Sequence, residues 1–456
     1  MKKYLKMFMA FLNQGKNPYI ACILLILIGT LLVYFSPRSI PSFLVFLFSA
    51  SSIYWLTLKR TARFALAVIF AVVLVPILGA RNVFYLEVIF QIAVFSALAL
   101  GLNIVVGFSG LLNFGYMAFY AVGAYLWAFF GSQQPYLLHS TVTTKALHTP
   151  FFMAPDWFYL FIFLGVIVVC IVGLVLGLPV LWVRGDYLAV ISLAFGEIVR
   201  QLANNLDKPL NFTNGPQGIT PIQRPTMPEG LLKAFNSVIQ PIVGHRVTDN
   251  QAYNILFYLI ALLVVVAVII ATYRLEDSKV GRAWIAVRED ELSAEAMGIN
   301  ARMLKLGAFA VGASFAGAMG VLFAASRTFV SPETFTFLQS CGVLTMVILG
   351  GIGSITGVIV GATLVTLLNI QVLQSFSLYL SGLRQSDAVI PLLNWHWSHL
   401  SNQLDPTKYQ RLIFGILLVV MMIYRPAGLI PEARRKRDLV PSSEDEAPAE
   451  KGAENV

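Results

Sequence analysis

Long apolar runs separated by short polar breaks set the pattern of this chain. They fall at 19–36, 43–58, 64–80, 86–107, 110–130, 158–183, 186–203, 252–273, 301–325, 337–352, 355–375 and 409–424. Most approach the roughly 20 apolar residues a helix needs to cross about 30 Å of hydrocarbon. The runs are continuous, whereas a spanning strand alternates. In lipid only helices and closed barrels satisfy every backbone group. The pattern therefore predicts an all-α, polytopic integral membrane protein with about 10–12 transmembrane helices, some of them broken by glycine. Two runs are weaker: 186–203 holds Glu197 and Arg200, and 337–352 is short and ends in glycines.

One polar stretch interrupts this pattern with its own helical signal. VGRAWIAVREDELSAEAMGINARMLKLG (280–307) separates the runs 252–273 and 308–325. Ala294-Glu-Ala-Met-Gly298 supplies helix formers and then a glycine stop. Glu289, Asp290 and Glu291 are placed where negative charge suits a helix start. A helix is expected within this stretch, offering a soluble partner something to grip. That organisation points to a transporter moved by a separate motor.

Two glycine-rich breaks organise the remainder. The first is Gly107-Phe-Ser-Gly-Leu-Leu-Asn-Phe-Gly115, the second Gly350-Gly-Ile-Gly-Ser-Ile-Thr-Gly357. Each follows one apolar run and opens another, as in a weak internal duplication. Irregular backbone is tolerated at membrane depth where it is buried or lines a pathway. Ser109, Gly110, Asn113, Gly115, Gly351 and Gly353 are the candidate pathway or gate residues. Close helix packing through small residues is the competing role, and the main one expected of Gly317, Gly320, Gly357 and Gly361. Arg184, Asp186, Glu197 and Arg200 form a set of intramembrane charges, which are costly in lipid and usually face the protein interior or water. Glu197 and Arg200 stand three apart and can pair on one helix.

Composition agrees: 57% of the 456 residues are hydrophobic, 12% are charged, and mean hydropathy is +0.75. The net charge of +9 does not call for nucleic acid, because Lys and Arg cluster in short loops beside the runs. Lys2, Lys3, Lys6 and Lys16, then Lys59, Arg60 and Arg63, then 274–305, then Arg425 and 434–437 mark the cytoplasmic side. Both termini are expected inside, with loops 131–157 and 204–250 outside. The basic start and first run are expected to form an uncleaved span. The tail 431–456 is expected to be disordered and cytoplasmic. Cys22, Cys170 and Cys341 lie in apolar runs and suggest no disulfide frame. No Gly-x4-Gly-Lys-Ser/Thr run cradles a nucleotide, and no His-Glu-x-x-His or Cys/His cluster offers metal ligands. No cofactor is expected on this chain.

The runs GDYLAVISLAFGEIVR (185–200), TNGPQGI (213–219), AMGINARMLKLGAFA (296–310) and LGGIGSITG (349–357) closely resemble the permeases of branched-chain amino acid ABC importers, in the LivM-type subunit. The resemblance covers roughly 85–430, and residues 1–85, with about three spans, resemble that type's N-terminal extension. It implies a heteromeric importer in the bacterial inner membrane, with one LivM-like and one homologous LivH-like permease. Two ABC ATPase subunits would use ATP and Mg, and a periplasmic binding protein would deliver leucine, isoleucine or valine. It also implies that 286–300 is the coupling helix, with Arg288, Glu289, Asp290, Glu291, Glu295, Ala296 and Gly298 at the ATPase contact. The general Glu-Ala-Ala…Gly pattern stands here as Glu295-Ala296-Met297-Gly298. Urea or short amides are the alternative solutes. An ion-coupled carrier using Glu197 or Glu87 is the alternative mechanism.

Overall fold

The computed structural model describes residues 17–36, 40–56, 59–138, 150–180, 187–243, 248–385, 389–390, 395–396 and 406–431. Arg184, Asp186 and the tail from 432 lie outside the described residues.

Fifteen helices are described: α1 (Asn17–Phe35), α2 (Ile40–Trp55), α3 (60–81), α4 (Val83–Phe108), α5 (Met117–Phe130), α6 (Trp157–Val180), α7 (Tyr187–Asn205), α8 (Glu229–Val243), α9 (Asp249–Glu276), α10 (Lys279–Glu289), α11 (Glu291–Ala296), α12 (Ala301–Arg327), α13 (Phe337–Gly350), α14 (355–385) and α15 (Gln410–Tyr424). A two-residue hairpin, β1 (Val389–Ile390) with β2 (Trp395–His396), is the single named sheet among the described residues. Among the described residues, eight helices are long and apolar enough to cross a membrane, and three shorter apolar ones accompany them, within the expected range of about 10–12. Every predicted run coincides with a helix. Two boundaries differ widely: the helix of 110–130 starts at Met117 because 109–116 is irregular, and that of 355–375 continues to Gln385.

Helix starts are chosen by side chains that accept from orphan amides. Asn82 caps α4, Ser278 caps α10, Asn300 caps α12 and Ser354 caps α14. Thr248 and Gln251 form a reciprocal capping box at α9. Three single π-helical turns, at Phe70–Leu74, Ile104–Phe108 and Leu368–Leu373, interrupt α3, end α4 and interrupt α14. Such turns commonly mark functional positions, and the second leads straight into the first glycine break.

α12 and α4 form the centre, with 83% and 78% of their apolar windows buried. α12 packs on α5 and α6, and α4 packs on α9 and α14. Helices in lipid gain no hydrophobic drive from meeting one another, so close van der Waals contact must hold them. α12 supplies it with a run of small residues. Gly317 lies against the backbone of Gly123 on α5 and Gly165 on α6, and Gly320 lies against Tyr120 and Ala124. Gly361 of α14 sits on Met346 and Gly350 of α13, and Gly357 on Gly350. The packing role expected of Gly317, Gly320, Gly357 and Gly361 matches this geometry. By contrast, α6 leaves Leu160, Phe163, Ile167, Ile171, Val175 and Leu178 exposed at helical spacing, a stripe suited to lipid.

A second core joins α1–α3 to the beginnings of α4 and α9. Phe43 stacks on Tyr85 at 4.1 Å, Phe46 on Phe70 at 4.7 Å, and the Tyr258 hydroxyl donates to the Ala71 carbonyl at 2.9 Å. Loop 204–250, expected as a turn-rich surface, contains an entire helix. α8 buries Ile239 and packs Leu232 and Phe235 against this second core. Its apolar spacing is helical, but turn-forming Asn, Gly and Pro residues upstream dominate the segment's composition.

Candidate functional site

The polar segment after α9 is held at one end of the bundle by three anchors. Trp284 of α10 is buried and its indole N–H donates to the Leu304 carbonyl at 2.7 Å. Lys305 of α12 pairs with Glu291 of α11 at 2.6 Å. Val287, Ala294 and Ala301 form a small core of their own. The single helix expected over about 286–300 is instead two helices. α10 ends at Glu289, and Asp290, with extended backbone, caps α11 by accepting the Ser293 N–H at 3.0 Å and the Ser293 hydroxyl at 2.9 Å. Asp is among the strongest N-caps, so it restarts the helix within an acidic run. Glu289 therefore closes a helix rather than opening one. Gly298 adopts φ +85 beyond the end of α11. Glu295, Ala296 and Gly298 are exposed, as are Leu292 and Met297.

The bonds from Ser293 hold the Asp290 carboxyl below the usual carboxylate range. A depressed folded-state pKa stabilises α11 above the unfolded carboxylate pKa, and that contribution is lost as pH falls through the depressed value. Asp290→Asn should keep the cap and flatten this acid response. Asp290→Ala should speed amide hydrogen exchange at Ser293 at neutral pH. Unchanged Ser293 exchange in Asp290→Ala would remove Asp290 as the cap.

The first glycine break begins at this end, directly above α10. The Arg288 guanidinium donates to the carbonyl of Gly107. Gly110, at φ +71, lies over the same side chain, and a Cβ there would stand 2.7 Å from Arg288 Cγ. Fully buried Asn103 of α4 completes the junction. Its Oδ1 accepts the Gly353 N–H at 2.9 Å, and a Cβ on Gly107 would stand 2.8 Å from Gly353 N. Gly107, Gly110, Gly353, Asn103 and Arg288 thus meet at one point, where the two glycine breaks and the polar segment join.

The other candidates are elsewhere. The Ser109 hydroxyl turns back to the Val105 carbonyl at 2.7 Å. Asn113 Oδ1 accepts the Gly115 N–H at 2.9 Å, and the Phe114 N–H donates to Ser192 Oγ at 3.0 Å. Gly115 is pressed against the backbone of Ser192 and Gly196 on α7. Beside it lies a void of about 10 Å³, lined by Asn113, Ser192 and Phe195 among others. That is room for about one water, so the geometry here is that of a helix contact. Gly351, at φ +125, meets the carbonyl of Ile430. The 425–430 strip continues this contact, with Leu429 N donating to the Leu349 carbonyl at 2.9 Å and Ile430 N to the Gly350 carbonyl at 3.0 Å. Neither the contact made by this strip nor the role of Asn103 is visible in the apolar pattern. The only local sign of the strip is Pro426 and Gly428 directly after the last apolar run.

At the opposite end of the bundle, Arg200 pairs with Glu197 at 2.5 Å and with Glu333 at 2.6 Å. The expected neighbour pair is present, extended by a residue from the turn before α13. Glu87 of α4 pairs with Arg327 of α12 at 2.5 Å. Both carboxylates considered for an ion-coupled mechanism are thus engaged by arginine.

Comparison with known proteins places this architecture. The family described as branched-chain amino acid transport system / permease component matches residues 84–422. The chain is 35% identical over 428 residues, 90% of its length and 85% of the relative's, to the high-affinity branched-chain amino acid transport system permease protein LivM of Escherichia coli (strain K12). It is 37% identical over 353 residues to LivM of Salmonella typhimurium, covering 75% of this chain and 68% of the relative. LivH of Escherichia coli (strain K12) aligns at 24% identity over 198 residues, 43% of this chain and 54% of the relative. No solved structure matches. A multi-pass helical bundle with two joined glycine breaks, aligned along most of its length with such relatives, identifies the chain as a member of the branched-chain amino acid transport permease family.

Proposed function

We propose that this chain is one permease subunit of an ATP-driven importer that moves leucine, isoleucine and valine across the bacterial inner membrane. The observation that carries the mechanism is the contact of Arg288 with Gly107. A segment that displaces α10 moves the first glycine break with it, and through Asn103 the second break too. The α10–α11 segment faces the cytoplasm in this assignment, with both termini on that side. Arg288, Glu289, Asp290, Glu291, Glu295, Ala296 and Gly298 form the region that meets an ATPase, and exposed Leu292 and Met297 give that surface apolar contacts. A LivH-like homologous permease, two ATPases carrying ATP and Mg, and a periplasmic binding protein complete the machine. The extended similarity to LivM supports the solute class.

Reconstitution tests this directly. Proteoliposomes holding this chain, its partner permease and both ATPases should take up leucine only with ATP inside and loaded binding protein outside. Uptake by this chain alone under an ion gradient would overturn the proposal in favour of a secondary carrier. Uptake of urea rather than leucine by the full assembly would overturn the solute assignment.

A further inference from the structure

The geometry points to a solute-binding station within this chain, at the Glu87–Arg327 end, built for a zwitterionic amino acid with an aliphatic side chain. The inference rests on the importer reading above and adds a site to it. A cavity of about 170 Å³ opens between α4, α5, α12 and α13. By the same measure one water needs about 10–15 Å³, so the cavity holds far more than a structural water. Phe90, Val94, Phe95, Met117 and Phe323 make an apolar wall. Arg327 stands on the rim beside Gln91 and Thr334.

Glu87 is not itself part of the lining, but it bonds Arg327 and Gln91, which are, so the charge pair stands at the edge of the cavity. Arg327 has five N–H donors in a planar fork, and its bond to Glu87 comes from one terminal nitrogen, NH2. Glu87 receives Arg327 and Gln91 Nε2 on the same oxygen, Oε1, at 2.5 and 3.0 Å. Both side chains are part exposed, at 38% and 31%. A carboxylate can therefore dock on the guanidinium fork and an ammonium on Glu87, each bond charge-assisted. The wall then receives the aliphatic side chain, with Tyr120 beside it. An amide such as urea lacks both charges. Pockets that combine an apolar lining with a few convergent polar groups are the usual form of small-molecule sites.

The test uses the assembled importer with Cys170→Ala and Cys341→Ala, and Gln339→Cys as a reporter. Gln339 lines the exposed mouth of the cavity and is not among the proposed binding groups. Millimolar L-leucine should slow labelling of Cys at 339 by a small hydrophilic thiol reagent. Leucinamide, lacking the carboxylate, and isocaproate, lacking the ammonium, should protect less. Arg327→Gln should raise the half-protecting leucine concentration about tenfold, the loss expected for one hydrogen bond to a charged group. If Arg327→Gln does not assemble, Glu87→Gln is decisive: leucine protection should weaken while isocaproate protection stays. Equal protection by all three compounds, or protection unchanged in the charge variant that assembles, overturns the station. An importer that takes up leucine yet shows no protection likewise overturns the station and leaves the importer assignment standing. Failure of the parent importer to take up leucine would instead count against that assignment.

Discussion

Gly317→Val is expected to lower sharply the fraction of correctly packed permease. Gly317 is the point at which α12 meets two helices at once, with Gly165 of α6 and Gly123 of α5 both approaching by their backbones. A valine there would overlap the Gly165 carbonyl and the Val169 side chain. Backbone cannot rotate away as a long side chain can. Overpacking a tight core costs about 1–3 kcal/mol, and the upper end corresponds to roughly a hundredfold shift in the folded ratio. The check is the monodisperse fraction after detergent extraction, beside Gly230→Val, where a Cβ meets nothing within 4 Å. Equal monodispersity for the two variants would mean that α5, α6 and α12 do not meet as described. Gly115→Val should fail in the same way, through Ser192 and Gly196, with assembly lost along with uptake.

Arg288→Ala is expected to assemble normally and to transport poorly. The substitution removes the guanidinium that donates to the Gly107 carbonyl and the side chain that Gly110 rests on. An unpaired buried acceptor costs about 1–3 kcal/mol, here charged against one arrangement of the glycine junction rather than the whole bundle. Uptake should fall by about tenfold or more, since each 1.4 kcal/mol is a factor of ten, while ATP hydrolysis by the assembly persists. Arg288→Lys keeps the charge but loses the planar fork, so it should restore only part of the activity. Wild-type uptake by Arg288→Ala would show that the α10–Gly107 contact does not transmit motion. Loss of uptake and hydrolysis together would place Arg288 in assembly instead.

Helix existence was legible because each span carries its own evidence: a continuous apolar run of the required length, ended by Gly, Pro or charge. The Glu197–Arg200 pair was legible for the same local reason, three residues on one helix. The break at Asp290 was less so. An acidic triplet suits a helix start in general, and only the bond from Ser293 shows which of the three is the cap. Glycine roles divided in a similar way. Gly317, Gly320, Gly357 and Gly361 read as packing positions from spacing alone. Gly115, grouped with the pathway candidates, proved to face α7.

By itself, then, the sequence determined the class of molecule, the existence and approximate limits of most of its long apolar helices, the polar segment between α9 and α12, and the family. Those properties depend on composition and on neighbours within a few residues. Tertiary structure alone decided which residues meet. Arg288 lies 181 positions from Gly107, Asn103 lies 250 from Gly353, and Arg327 lies 240 from Glu87. Inside a bilayer every helix face can be apolar, so the amphipathic stripe that marks the buried side of a soluble helix is nearly absent. Close approach between small residues sets the partners instead, and that is a property of two surfaces, which no single segment encodes.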